Sequence, residues 1–458
     1  MIHEFDTIAA VSTAMMGDGG ISVVRISGND AVDIADRIFV GSKKLSECES
    51  HTIHYGNIVW NGNKIDEVLV MLMRAPKTYT REDVIEIDCH GGLYVTQRVL
   101  EACINAGARP AEPGEFTKRA FLNGRIDLVQ AESVIDIIKS QNEYALKSSV
   151  GQLSGVLSEK IEKMRAEIIN NVAFIEAALD DPEHISLDNY GDKLLITVDN
   201  LVDTVDNLVK TFDNGRMIKQ GIKTVILGKP NAGKSSLMNV LAGAETAIVT
   251  DVAGTTRDTI SEYINLDGVT LNLIDTAGIR DTVDIVEKIG VDKARTAAND
   301  ADLIIYVADS SRELDDNDKD ILNMINGRNV IVLLNKSDLD TVVTKEEIGN
   351  LINAPVISAS AKLKDGIDEL TDLIKKLFFK GEVDFNDQVY ITNARQKNAL
   401  TEAYRSLKLV RESIDAGMPE DCYTIDLMNA YEELGKITGQ SVEDDLVNEI
   451  FSKFCMGK

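Results

Sequence analysis

Eight consecutive residues, Gly228-Lys229-Pro230-Asn231-Ala232-Gly233-Lys234-Ser235, match the phosphate-cradling pattern G-x-x-x-x-G-K-[ST] in full. The branched run Thr224–Leu227 precedes them and a helical stretch from Ser235 to Leu241 follows, the strand–loop–helix context this chemistry requires. Glycines let the backbone wrap a phosphate, so that successive N–H groups and a helix N-terminus face the anion. In that arrangement Lys234 reaches the β and γ oxygens and the Ser235 hydroxyl is a Mg²⁺ ligand. Asn231, Ala232, Gly233 and Ser236 complete the loop. Asp275-Thr276-Ala277-Gly278 closes the next clear strand, with a carboxylate toward the metal and a glycine N–H toward the γ-phosphate. Asn335-Lys336-Ser337-Asp338 closes a later one. Asp338 can accept from both N1–H and the exocyclic amine of guanine, a pair that adenine lacks, so an unpaired carboxylate would penalise ATP. Ser358-Ala359-Ser360, after Pro355-Val356-Ile357, fits the loop that supports the base. Four ordered motifs therefore point to GTP and GDP.

Two features narrow the type of GTPase. Ile279 stands where Ras-like switches often place a water-orienting Gln, so the attacking water must be positioned otherwise. Thr250-Asp251-Val252-Ala253-Gly254-Thr255-Thr256 is a polar loop in which Thr256 is the natural second Mg²⁺ hydroxyl. With Asn231 it could surround a monovalent cation beside the phosphates, stabilising developing charge much as an arginine finger does; the alternative is that Asn231 is an ordinary loop hydrogen-bonder.

The elements that must hold these residues follow from periodicity. From about 216 to 380, short apolar strands at 224–227, 271–274, 304–307 and 330–334 alternate with helical stretches, the signature of a parallel sheet. Before it, Leu153, Leu157, Ile161, Met164, Ile168, Val172, Ile175 and Leu179 repeat at intervals of three and four residues, a helical seam that Asp181-Pro182 ends. Leu194, Val198, Leu201, Val205, Leu208 and Phe212 form a second stripe, and Leu400, Tyr404, Leu407, Val410 and Ile414 a third. Such stripes need covering, by an intrachain bundle or by a coiled-coil dimer. Strands at 21–26, 68–73 and 84–88 and helices at 30–39 and 93–106 make residues up to about 120 an α+β unit. The expected architecture is multidomain: an α+β N-terminal domain (1–120), a discontinuous α-helical bundle domain (121–215 and 381–458), and an inserted Ras-like α/β P-loop G domain (216–380).

Here the chain resembles the MnmE (TrmE) family of tRNA modification GTPases. The likeness runs over the whole chain and rests on the G motifs, on Glu112-Pro-Gly-Glu-Phe-Thr-Lys-Arg-Ala-Phe-Leu-Asn-Gly-Arg-Ile-Asp-Leu128 and on Phe454-Cys455-Met456-Gly457-Lys458. The resemblance implies a homodimer formed by the N-terminal domain and G domains that pair across K⁺, held by Asn231, the Thr250 and Val252 carbonyls, and Thr255. It makes Glu287 the residue that orients the attacking water, where position alone reads as a helix-surface glutamate; Arg257 and Arg280 are further candidates. It also implies that a 5-formyl- or methylene-tetrahydrofolate binds at Arg25, Glu82, Arg125 and Lys458. Arginines suit the folate's carboxylates and a carboxylate suits its pterin N–H groups. The implied reaction is GTP hydrolysis coupled to C5 modification of wobble uridine in certain tRNAs. Family members add a carboxymethylaminomethyl or aminomethyl group there, in a heterotetramer with the FAD- and NADH-dependent MnmG (GidA) subunit. Departures are mild: the family also shows Lys at the place of Arg125, often Gly at the place of Arg81, and usually Ile or Leu at the place of Met456. Cys455 is either a participant in uridine activation or a small apolar anchor for the tail.

The whole-chain numbers constrain these readings. The chain has 458 residues, a prior of about three domains. Its five cysteines are scattered without a C-x-x-C pair, and no run of about 18 apolar residues exists. With an acidic start where a signal peptide would be basic, the reading is a reduced, cytoplasmic protein with no membrane segment. The net charge of −27 argues against a stand-alone nucleic-acid binder and implies that tRNA is met mainly through the partner. The same charge counts against the rival reading, a ribosome-assembly GTPase acting as an RNA checkpoint, which would be expected to carry a basic module.

Overall fold

The computed structural model describes residues 6–14, 19–243, 262–274, 298–379, 390–442, 444–454 and 457. The chain divides into two compact units: Met1–Ile135, Gln152–Val198 and Arg405–Lys458, and then Asp136–Gly151 and Asp199–Tyr404.

In the first unit, strands β1 (Ile8–Val11), β2 (Ile21–Ser27), β3 (Phe39–Gly41), β4 (Thr52–Trp60), β5 (Asn63–Met73), β6 (Val84–His90) and β7 (Arg109–Pro110) form one sheet. Its order is β3-β4-β5-β6-β2-β1-β7, antiparallel throughout except for the parallel pair β1–β7. Side chains alternate across such a sheet. Val24, Ile26, Val68, Val70, Leu72, Ile85 and Ile87 point inward to a core shared with the helices Ala31–Ile38 and Leu93–Asn105. The other face leaves Val40, Ile53, Tyr55 and Leu69 exposed, with Tyr55 and Leu69 directly opposite each other. β4 is hard to see in the sequence because Ile53 and Tyr55 lie on its exposed face and Ile58 on its buried one, so apolar residues fall on both faces even before the register shifts between Ile58 and Val59.

The helical seam holds with two corrections. Leu157, Ile161, Met164, Ile168, Val172 and Ile175 are buried along one helix, Val156–Asp180, which packs on the helix Asp421–Thr438. Leu153 instead ends a separate helix, Glu143–Leu153, because Gly155 takes φ +90° and interrupts the run. Leu179 is exposed and Ala178 is buried in its stead. The seam is thus covered within the chain. The second stripe is buried from Leu194 to Leu208 on the helix Tyr190–Lys210, while Phe212 opens the next helix, Phe212–Gln220. The third lies on Ala394–Asp415, where Leu400, Leu407 and Val410 are buried.

The sheet of the second unit has strands β8 (Ile222–Leu227), β9 (Glu262–Leu266), β10 (Val269–Leu273), β11 (Leu303–Asp309), β12 (Val330–Asn335) and β13 (Val356–Ser358), in the order β13-β12-β11-β8-β10-β9. All pairs are parallel except β9–β10. β11 and β12 are buried over their whole length, as strands covered on both faces must be. β8 has β11 on one side and β10 on the other, so the strand order reverses at β8, the point beyond whose carboxyl end ligands of open α/β sheets bind. The architecture is therefore an α+β N-terminal domain, a discontinuous helical domain and an inserted Ras-like P-loop G domain.

Candidate functional site

The loop after β8 turns sharply and leads into the helix Lys234–Gly243. Gly228 adopts φ +144°, and a β-carbon there would collide with the Val307 carbonyl of the adjacent strand β11. Gly233 adopts φ +102°, and a β-carbon there would collide with the Asn335 amide nitrogen. Both glycines are thus required by close approach as well as by backbone conformation. Asn231 is also left-handed, φ +64°, and exposed at the loop's tip. Lys234 folds back over the loop, its ammonium donating to the carbonyls of Gly228 and Lys229, both at 2.7 Å. Burial pushes this lysine below its ordinary value. Ser235 and Ser236 are exposed in the first turn of the helix.

Asn335 ties this phosphate loop to the base loop. Its Nδ2 donates to the Ala232 carbonyl at 2.8 Å, and its Oδ1 accepts from the Ala361 N–H at 3.0 Å. Ser337 N–H donates to the Ala359 carbonyl, and Ala359 N–H to the Leu334 carbonyl. The exposed Asp338 carboxylate accepts from the Ser360 hydroxyl at 2.7 Å, which holds it below the usual aspartate range. Lys336, at φ +66°, gives its ammonium to Asp309 at 2.6 Å. Burial raises the Asp309 carboxyl, but Lys336 and Ser311 outweigh it and leave it lowered. Asn335 and Ser358 end β12 and β13, and Asn231, Ala232, Gly233, Lys234, Ser235, Ser236, Lys336, Asp338, Ala359 and Ser360 lie on the loops or helix start that follow β8, β12 and β13 at their carboxyl ends. Thr250, Asp251, Val252, Ala253, Gly254, Thr255, Thr256, Arg257, Asp275, Thr276, Ala277, Gly278, Arg280 and Glu287 lie outside the described residues.

A second cluster forms in the first unit. Arg25 of β2 stands opposite Glu86 of β6 and opposite Ala10 of β1. Its Nε and Nη2 both reach Glu86 Oε1, at 2.7 and 2.6 Å. Two guanidinium groups approach the Tyr79 ring, Arg25 at 5.5 Å and the exposed Arg125 at 4.8 Å from its centroid. Glu82 accepts from Ser27 Oγ at 2.7 Å and pairs with Arg119 at 3.1 Å. Arg119 also pairs with Glu115 at 3.0 Å, and Glu115 with Arg109 at 2.6 Å. Burial raises Glu115, yet these partners and the Glu112 N–H hold it below the ordinary glutamate value. The end of the chain reaches the same region: Ser12 Oγ donates to the Gly457 carbonyl at 3.1 Å, just beyond β1. Gly114, at φ +70°, leaves room for Phe454 where a β-carbon would collide. Cys455 and Lys458 lie outside the described residues.

Residues 128–455 match the family profile described as the MnmE helical domain, and residues 7–125 match that of the GTP-binding protein TrmE N-terminus. The chain belongs to the MnmE family. Relatives named tRNA modification GTPase MnmE include one from Lachnoclostridium phytofermentans, 58% identical over 99% of this chain and 99% of that protein. One from Lactobacillus delbrueckii subsp. bulgaricus is 50% identical over 100% of this chain and 99% of its own, and one from Acetivibrio thermocellus 49% over 100% of both.

Within this MnmE-family chain the structure brings Arg25, Glu82 and Arg125 into one neighbourhood. It adds Tyr79, Glu86 and Arg119, which the sequence reading did not single out. Arg119 had a signal: it sits inside the stretch 112–128, four residues after Glu115, a spacing that pairs side chains on one helix face. Glu86 had none that is local, since strand pairing alone sets it across from Arg25. Arg81 takes φ +63°, the left-handed region that favours glycine.

Proposed function

We propose that the chain is a GTPase coupling K⁺-stimulated hydrolysis to C5 modification of the wobble uridine of certain tRNAs. It works as a homodimer, in the cytoplasm, with an FAD- and NADH-dependent partner and a one-carbon tetrahydrofolate. Among the described residues no helix is long and apolar enough to cross a membrane. The observation that carries the nucleotide part is the Asn335 clasp, which fixes the phosphate loop and the guanine-reading carboxylate in one frame.

The residues divide the work as follows. Lys234 exchanges the Gly228 and Lys229 carbonyls for β and γ oxygens, and an adjacent anion restores the ammonium that burial disfavours. Asp338, set by Ser360, accepts from guanine N1–H and the exocyclic amine. Ser235 and Thr256 would hold Mg²⁺, which when bound neutralises charge developing between β- and γ-phosphate. Asn231 fits a K⁺ ligand in being polar, exposed and held at the tip of the loop; Thr250, Val252 and Thr255 are the proposed remainder, and Glu287 the residue that orients the attacking water. Replacing K⁺ with Na⁺ is expected to slow steady-state GTP hydrolysis by about tenfold or more. Equal rates in the two salts would refute the cation-bridged part.

The N-terminal cluster fits a flat anionic ligand. The exposed Arg125, seated over the Tyr79 ring, offers a cation and a flat guanidinium face, and Glu82 keeps a lone pair beyond those used by Ser27 and Arg119. Arg25 is already matched by Glu86, which suits it to orientation more than to holding the glutamate tail. When bound, the folate supplies the one-carbon unit for uridine C5. The exposed apolar face of Val40, Ile53, Tyr55 and Leu69 supports the homodimer. Leu69→Asp combined with Tyr55→Asp is expected to give a monomer in sedimentation velocity; a dimer of undiminished stability would contradict that assignment.

A further inference from the structure

Asp309 ends β11 in register with Asn335, the first residue of the base-reading motif. It is buried, and its two oxygens have separate tasks. Oδ1 accepts from the Ser311 N–H at 3.0 Å and the Ser311 hydroxyl at 2.7 Å. Oδ2 accepts from the Lys336 ammonium at 2.6 Å and faces the Arg312 Nε at 3.6 Å. Lys336 is two residues before Asp338, the carboxylate that must present itself to guanine. A flexible ammonium that close to a carboxylate is a natural competitor for it, because an ammonium–carboxylate pair carries charge on both partners whereas the donors of guanine are neutral. Base recognition therefore needs the lysine charge held elsewhere.

We propose that Asp309 is a specificity-positioning residue: it holds the Lys336 ammonium on the β11 side and so leaves the Asp338 carboxylate to read guanine. This rests on the GTP reading given above. Asp309 touches no nucleotide itself; its effect passes through Lys336.

The isosteric change Asp309→Asn isolates this. Ser311 supplies two donors to Oδ1, so the asparagine oxygen takes that place and its NH₂ must take the place of Oδ2. That turns N–H donors toward an ammonium and a guanidinium. Lys336 is then released toward Asp338.

The test is GDP affinity, by titration calorimetry on the full chain, in wild type, Asp309→Asn, Lys336→Met and the double variant. Asp309→Asn is expected to weaken GDP binding about tenfold, the scale of one charge-assisted hydrogen bond. With Lys336→Met already present, it is expected to cost less than twofold. A purely structural aspartate would cost the same in both backgrounds, and that result, or no loss at all, would overturn the inference. A wild-type chain that bound no GDP would overturn the GTP reading and this inference together. If Asp309→Asn alone does not fold, Lys336→Met with and without it carries the test, since removing both charges leaves neither stranded. Equal affinities then uphold the proposal, and a further tenfold loss refutes it.

Discussion

Gly233→Ala is expected to weaken GTP binding by about a hundredfold or more. Two costs add. The residue must stay at φ +102°, where an L side chain is strained by roughly 1–2 kcal/mol. Its β-carbon would also displace the Asn335 amide, which bonds Ala232 and Ala361 at once. Losing such a buried bond costs about 1–3 kcal/mol, and the two loops it joins would no longer share a frame. A total near 3 kcal/mol is about a hundredfold in affinity. Gly349 is the control: it lies in the helix Lys345–Leu351 with open space around it, so Gly349→Ala should leave affinity unchanged and favour the helix slightly. Calorimetric titration with GDP reads both. Equal affinity of Gly233→Ala and wild type would mean that the clasp does not shape the site.

The second large effect is on the first unit. Arg119 is buried between two carboxylates, Glu82 and Glu115, that are themselves shielded from solvent. Arg119→Ala leaves both without their shared cation, and breaking a buried pair in this way costs about 3–5 kcal/mol. The unfolding midpoint in urea should fall accordingly. The same network has an acid limb. Because Glu115 titrates below its ordinary value of 4.5 in the folded chain, its contribution is complete above that value. It is lost as pH falls through the depressed folded value. Arg119→Ala should therefore flatten the loss of stability below pH 4.5 as well as lowering stability at neutral pH. A variant as stable as wild type, with the same acid profile, would contradict the assignment of these contacts.

The nucleotide site was legible because its motif states its own backbone requirements. Gly228 and Gly233 stand where positive φ and close approach are needed, and each motif directly follows an apolar run that becomes a strand. Helical stripes were legible as faces but not as boundaries. The three-and-four spacing ran through Gly155 and on to Leu179, whereas the chain breaks at the first and turns Ala178 inward at the second. What stayed hidden was set by pairing at long range. Arg25 meets Glu86 because β2 lies beside β6, and Lys336 meets Asp309 because β12 lies beside β11. Tyr79 matters only because two arginines a hundred positions apart, one on β2 and one in a loop, converge on it. No local spacing carries that information.

Under the proposed function, the nucleotide read by Asp338 drives the modification of tRNA. The test is to reconstitute the full chain with the proposed flavin-dependent partner, folate and unmodified tRNA, and to measure wobble uridine by mass. Wild type and Asp338→Asn would each be supplied with GTP or with xanthosine triphosphate, whose base accepts where guanine donates. Wild type is expected to modify with GTP, and Asp338→Asn to lose modification with GTP and regain it with xanthosine triphosphate. Modification by Asp338→Asn with GTP at the wild-type rate, or hydrolysis of the matched nucleotide with no change in the uridine, would contradict it.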